Sequence, residues 1–173
     1  TGAGDFITLS EVTASGKYIL MENISNVSMS PIGGSQEFTG EFYGNGFAIS
    51  NLTIIGSSGN VGLFSINQGV ISGVSLINIT ISNSNSSDKS VGGIAGINKQ
   101  LIEKSYVSGS ITVTTAKTSS GWFSGGTATI YAGGLAGQNE GIIKHSHASV
   151  NVTATASQSG GFLGTANAYA YAG

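Results

Sequence analysis

His145 and His147 are the only histidines in the chain, and a spacing of two places both imidazoles on one face of a strand, an arrangement able to offer two nitrogen ligands to a metal. The nearest carboxylates in the aligned sequence, Glu140 and Glu103, do not complete the compact set that zinc requires, so the pair reads as solvent-facing residues of an exposed strand. Acid–base chemistry is equally thinly supplied. The two aspartates, Asp5 and Asp88, stand far apart, and the glutamates Glu11, Glu22, Glu37, Glu41, Glu103 and Glu140 are scattered. Glu37 and Glu41 are the closest carboxylates in sequence, in a turn-rich segment that reads as a solvated edge rather than as a general acid and base. There is no HExxH, and no glycine run opens a phosphate-binding helix. The absence of cysteine removes thiol catalysis, disulfides and cysteine-based zinc sites together. The expectation is a protein that is not an enzyme and uses no cofactor and no metal.

Three other sets of side chains carry non-catalytic chemistry. Trp122 and Phe123 lie in a long polar insertion with Tyr131 just beyond it, and aromatic rings on a loop stack on sugars or anchor a partner protein; their alternative role is to fold back over the flank of the molecule. Thr80 and Ser82, Thr112 and Thr114, and Thr153 and Thr155 form Thr-x-Thr/Ser pairs that the repeat alignment stacks into two hydroxyl ladders, similar to those of ice-binding solenoids, although threonine is also simply a good outward strand residue. Asn23, Asn26, Asn51, Asn78, Asn85 and Asn151 each begin an Asn-x-Ser/Thr acceptor sequence for N-glycosylation, with Asn85 expected to be the most accessible.

The elements that position these residues follow from a repeat. VGLFSINQGVISGVSLINITIS from Val61, GGIAGINKQLIEKSYVSGSITV from Gly92 and GGLAGQNEGIIKHSHASVNVTA from Gly133 align on Asn67, Asn98 and Asn139, which lie 31 and 41 residues apart. A preserved core with unequal spacing means a fixed unit with variable loops, here residues 83–90 and 116–129. A partial fourth unit is expected from about residue 160, within a single segment of a longer repetitive chain whose N-terminal coils occupy 1–60. Apolar residues alternate in short runs broken by Gly or Asn, without a helical stripe. Ile71, Ile102 and Ile143 share one position and Leu76, Val107 and Ala148 another; Ile79, Ile111 and Val152 share a third if the first unit is one residue shorter. The same alignment sets Glu103 over Lys144, Lys104 over His145 and Tyr106 over His147 on the outer side. Short strands stacked unit on unit predict an all-β fold, a right-handed parallel β-helix (β-solenoid) with Gly-rich turns and two longer insertions. Gly92, Gly93, Gly133 and Gly134 fall where each unit turns, which needs positive φ or close backbone approach.

The segment from Tyr18, YILMENISNVSMSPIGGSQEFTGEFYGNGFAISNLTI, followed by Gly62, Leu63 and Phe64, resembles the GLUG-repeat family. Pro31, Ile32 and Gly33 match its Pro-Ile-Gly turn; Phe38, Gly40, Phe42, Gly44, Asn45 and Gly46 its glycine-spaced aromatic segment; Ile49, Leu52 and Ile54 its strand. The resemblance runs from about Tyr18 to Ala154, with Tyr43 standing where the family often has Asp. It implies a β-helical stalk or adhesive module of a large secreted or surface protein, similar to filamentous-haemagglutinin-like adhesins and to the non-catalytic region of some IgA-cleaving peptidases, and it brings no catalytic residue.

Composition agrees with that setting. The chain of 173 residues has 27 Ser, 15 Thr and 13 Asn, six Lys, no Arg and a formal net charge of −2, so it lacks the basic footprint for nucleic acid. No apolar run approaches the roughly 20 residues of a membrane-spanning helix. The partners expected are a host-surface protein or glycan, or further copies of the chain through uncapped strand edges, with no nucleic acid and no membrane insertion; the expected location is extracellular or at the cell surface.

Overall fold

The computed structural model describes residues 8–56, 59–84, 89–118, 128–159 and 166–171. Among the described residues a short 3-10 helix, Leu9–Glu11, is followed by strands alone. Six precede the repeat: β1 (Lys17–Ile19), β2 (Ile24–Ser25), β3 (Ser28–Met29), β4 (Glu41–Tyr43), β5 (Ala48–Ser50) and β6 (Thr53–Ile55). The first unit holds β7 (Asn60–Val61), β8 (Phe64–Asn67), β9 (Val70–Ser72) and β10 (Ser75–Asn83). The second holds β11 (Lys89–Gly92), β12 (Ala95–Asn98), β13 (Leu101–Glu103) and β14 (Tyr106–Thr118). The third holds β15 (Ala128–Gly133), β16 (Ala136–Asn139), β17 (Ile142–Lys144) and β18 (His147–Ser159), and β19 (Ala166–Tyr171) follows.

The fold is all-β, and every ladder between these strands is parallel. Four sheets result, with orders β7-β11-β15-β19, β8-β12-β16, β1-β4-β9-β13-β17 and β2-β5-β10-β14-β18, the last joined by β3 and β6. Each unit visits these sheets in that same order, so equivalent residues of successive units become cross-strand neighbours. β19 returns to the first sheet beside β15.

Apolar columns fill the interior. Phe42, Ile71, Ile102 and Ile143 are in register, as are Ile49, Leu76, Val107 and Ala148. Ile49, Leu76, Ile71, Ile102 and Val107 are fully buried, each side chain contributing about 1.5–3 kcal/mol relative to exposure. Phe38, Phe42 and Phe64 pack with ring centroids 4.5 Å and 5.5 Å apart. The side of the core nearest β1 is covered by Leu9, Val12 and Leu20, all buried.

The third column differs from its expected register. Ile81, not Ile79, pairs with Ile111 and Val152, while Ile79 pairs with Gly109 and Val150. The first unit is one residue longer than the second here, because Asn78 enters the left-handed region at φ 55° and makes a bulge between Leu76 and Ile79. The polar insertions are also shorter than expected: Lys89 and Ser90 belong to β11 and are buried, and residues 116–118 continue β14. Gly92, Gly93, Gly133 and Gly134 have no positive φ; close approach is the reason at Gly92, Gly93 and Gly134, where a Cβ on Gly93 would lie 2.5 Å from the carbonyl oxygen of Gly134.

Candidate functional site

Two asparagine ladders run across the units. Inside, Asn67 donates through Nδ2 to Oδ1 of Asn98 at 2.8 Å, and Asn98 donates to Oδ1 of Asn139 at 2.7 Å. Each Nδ2 also reaches a carbonyl of the following unit, Leu101 for Asn67 and Ile142 for Asn98, so the rail ties two sheets together at a corner. Asn67 and Asn98 are wholly buried; identical amides recurring at one strand spacing, together with nearby backbone groups, supply the partners their amides need. Phe38 bridges to Asn67 and replaces the amide with a ring at the near end.

The second ladder lies outside and consists of glycosylation sequons. Asn51 donates to Oδ1 of Asn26 at 3.1 Å and Asn78 to Oδ1 of Asn51 at 2.8 Å. All three residues are left-handed, with φ of 58°, 52° and 55°, a conformation asparagine adopts more readily than most residues. The Nδ2 that a glycan would occupy is thus a ladder donor in Asn51 and Asn78. The signal was present as Ile-Ser-Asn at Ile24 and Ile49 and Leu-Ile-Asn at Leu76, a repeat hidden because it begins before the glycine-rich units and ends inside the first of them. Asn23 accepts from the amide of Ala48 at 2.8 Å, Asn151 is exposed on β18, and Asn85 lies outside the described residues.

The hydroxyl columns are displaced from their expected partners by the same bulge. Ser82 pairs with Thr112 and Thr153, Thr114 with Thr155, and Thr80 with Thr53 and Ser110, the last continuing to Asn151. The exposed hydroxyl array is two threonines wide only on β14 and β18, with Ile55 beside Ser82. Trp122 and Phe123 lie outside the described residues. Tyr131 on β15 is half-buried, in register with Ser90 and Tyr169, and lines a cleft of about 650 Å³ with Leu135, Asn139 and Ile143.

The outer charges form pairs. Glu103 meets Lys144 at 3.2 Å as expected, which holds its carboxyl below the usual range, and Tyr106 stacks on His147 with centroids 4.6 Å apart. Glu37 and Glu41 do not face one another as a catalytic pair would: Glu37 pairs with Lys99 at 2.6 Å and Glu41 with Lys17 at 3.0 Å. The two histidines are separated by a corner. His145 sits there at φ 51° and His147 begins β18, so they do not share a strand face.

Lys89, which sequence reasoning left in a polar loop, is 2% exposed, with Nζ donating to Oδ1 of Asn83 at 3.2 Å and to the carbonyl of Thr114 at 2.7 Å. Burial lowers its pKa to about 8. A serine pair secures the neighbouring corner: Ser105 Oγ accepts from the amide of Val74, and Ser146 Oγ from that of Ser105.

Residues 128–153, which run through β15, β16 and β17 into β18, match the family model of the GLUG motif. The chain carries a GLUG motif. That GLUG match spans one passage through all four sheets and includes Asn139 of the buried ladder. Neither a curated protein nor a solved structure matches the chain. Among the described residues no helix is long and apolar enough to cross a membrane.

Proposed function

We propose that the chain is a right-handed parallel β-solenoid segment of an extracellular or surface protein, serving as a structural or adhesive element rather than as a catalyst. The observation that carries the reading is the recurrence of the same side chains in the same columns, all in parallel register, with Asn67, Asn98 and Asn139 bonded in sequence. A unit of this kind buries its face against its neighbours, so it suits a stalk whose length grows by repetition. The hand follows from the strong preference of parallel connections. The GLUG motif supports the secreted or surface setting. The non-catalytic reading is supported by the engagement of Glu37, Glu41 and Glu103 in ion pairs with lysines rather than with one another.

Small-angle scattering with negative-stain microscopy over a concentration series tests this reading. Dispersed compact particles are expected, because a five-stranded sheet spans only about 19 Å from first strand to last; the expanded scattering profile of an unordered chain would overturn it. Regular fibres would instead favour the filament subunit, in which further copies of the chain add end to end. Ice binding has a narrower basis, the in-register pairs Thr112 with Thr153 and Thr114 with Thr155, and is tested by thermal hysteresis of the unmodified chain.

A further inference from the structure

The corner after β4 is longer than those of the units that follow. Two residues connect β9 to β10, β13 to β14 and β17 to β18, whereas four stand between β4 and β5, Gly44 to Phe47, as four also stand between β1 and β2. The amide of Phe47 donates to the carbonyl of Gly44 at 2.9 Å, and the two residues between, Asn45 at φ 51° and Gly46 at φ 81°, are both left-handed. This is a tight Asn-Gly turn with primed geometry, projecting from the corner instead of joining a hairpin. Asn45 Nδ2 fastens it to the carbonyl of Leu20 at 3.1 Å. The turn walls a cleft of about 500 Å³ on the outer face of the five-stranded sheet.

The rest of the cleft comes from the column Ile19, Tyr43, Ser72. A small residue in register beside a large ring leaves a step, and the step is the cavity. Tyr43 is half-buried and fixed from two sides: its hydroxyl donates to Glu41 Oε2 at 3.1 Å, and Lys17 Nζ lies 5.1 Å from its ring centroid. Lys17 and Glu41 neutralise each other at 3.0 Å, so the cleft presents donors and acceptors without net charge. Ile19, 49% exposed, supplies apolar surface beside the ring.

We infer that this cleft, formed by Tyr43, Ile19, Lys17, Asn45 and Ser72, binds a neutral saccharide, with the tyrosine ring under a pyranose and the flanking polar groups on its hydroxyls. An aromatic surface ringed by mutually compensated polar groups suits a polyol; an anionic ligand would have to displace Glu41 from Lys17. The inference supplies a ligand class for the adhesive part of the proposed function and rests on that reading for its biological setting alone.

Saturation-transfer NMR on the full chain, with cellohexaose, maltohexaose, lactose, N-acetyllactosamine and methyl mannoside as probes, tests it. At least one probe is expected to bind, with affinity falling about 30-fold in Tyr43→Ala and in Ser72→Tyr, which fills the step, while Trp122→Ala leaves it unchanged. Circular dichroism confirms that each variant is folded, and a variant that is not folded is replaced by Tyr43→Ser. No binding to any probe overturns the inference, as does binding that survives Tyr43→Ala or is lost in Trp122→Ala. Scattering from the same samples reports the compact folded particle independently, so loss of the saccharide site and loss of the stacked-unit reading give different results.

Discussion

Replacing Asn98 by alanine removes the middle of the buried ladder. Two short bonds disappear, from Asn67 at 2.8 Å and to Asn139 at 2.7 Å, together with the longer contacts to the carbonyls of Gln100 and Ile142 at 3.3 Å. Each neutral bond contributes about 1 kcal/mol net, and Asn67, wholly buried, is left with one acceptor fewer for its amide, adding about 1 kcal/mol more. The sum is about 3 kcal/mol, which lowers the melting temperature by about 6–12 °C for a chain of this size. Asn139 is exposed, and its removal leaves Asn98 with the carbonyls of Gln100 and Ile142, so Asn139→Ala costs only about 1 kcal/mol. Urea unfolding followed by far-ultraviolet circular dichroism measures both, and a double-mutant cycle of Asn67→Ala with Asn98→Ala is expected to show a coupling of about 1 kcal/mol. Equal losses for Asn98→Ala and Asn139→Ala, or a cycle with no coupling, would refute the reasoning that the amides act as a connected rail.

Lys89 gives a pH dependence of definite sign. Its pKa is about 8 in the folded chain against an ordinary 10.5, so between these values the unfolded chain binds the additional proton and stability rises with pH, by at most about 3 kcal/mol. Urea midpoints from pH 7.5 to 10 are expected to climb in the wild type and to flatten in Lys89→Met; parallel curves would contradict the assignment. At Asn51, alanine is expected to cost about 2 kcal/mol, roughly half from its two exposed ladder bonds and half from left-handed φ, whereas Asn51→Gly avoids the second part. Thermal melts separate the two, and equal losses would show that the backbone conformation is not strained.

Much of the register was legible because successive units place like residues in like positions. Ile71, Ile102 and Ile143 recur in sequence for the same reason that they touch in the core, and the pairing of Glu103 with Lys144 follows from the same offset. The bulge at Asn78 was not legible. Ile77 and Ile79 flank it and Ile81 follows, so the apolar pattern looks equally good with the unit a residue shorter or longer, and only the left-handed asparagine decides. The hydroxyl columns inherited that error. Burial of Lys89 was not legible because, although Asn83 is only six residues away, its shorter bond is to the Thr114 carbonyl, which the fold brings from 25 residues along the chain. The cleft at Tyr43 depends on its corner being two residues longer than those of the units that follow, a comparison that has meaning only once the corners are superimposed.

The central claim is that the units lie one above another in parallel, and distances between spin labels test it most directly. The chain has no cysteine, so introduced labels are unambiguous. Lys17 and Ile142 are joined through Glu41, Val70 and Leu101, and Ser28 and Asn151 through Thr53, Thr80 and Ser110, which is four strand spacings in each case, about 19 Å. Double electron–electron resonance on Lys17→Cys/Ile142→Cys and on Ser28→Cys/Asn151→Cys is expected to give narrow distributions centred near the same value for both faces. Broad distributions, or means differing by more than about 10 Å between the two pairs, about two strand spacings, would contradict the stacked parallel arrangement.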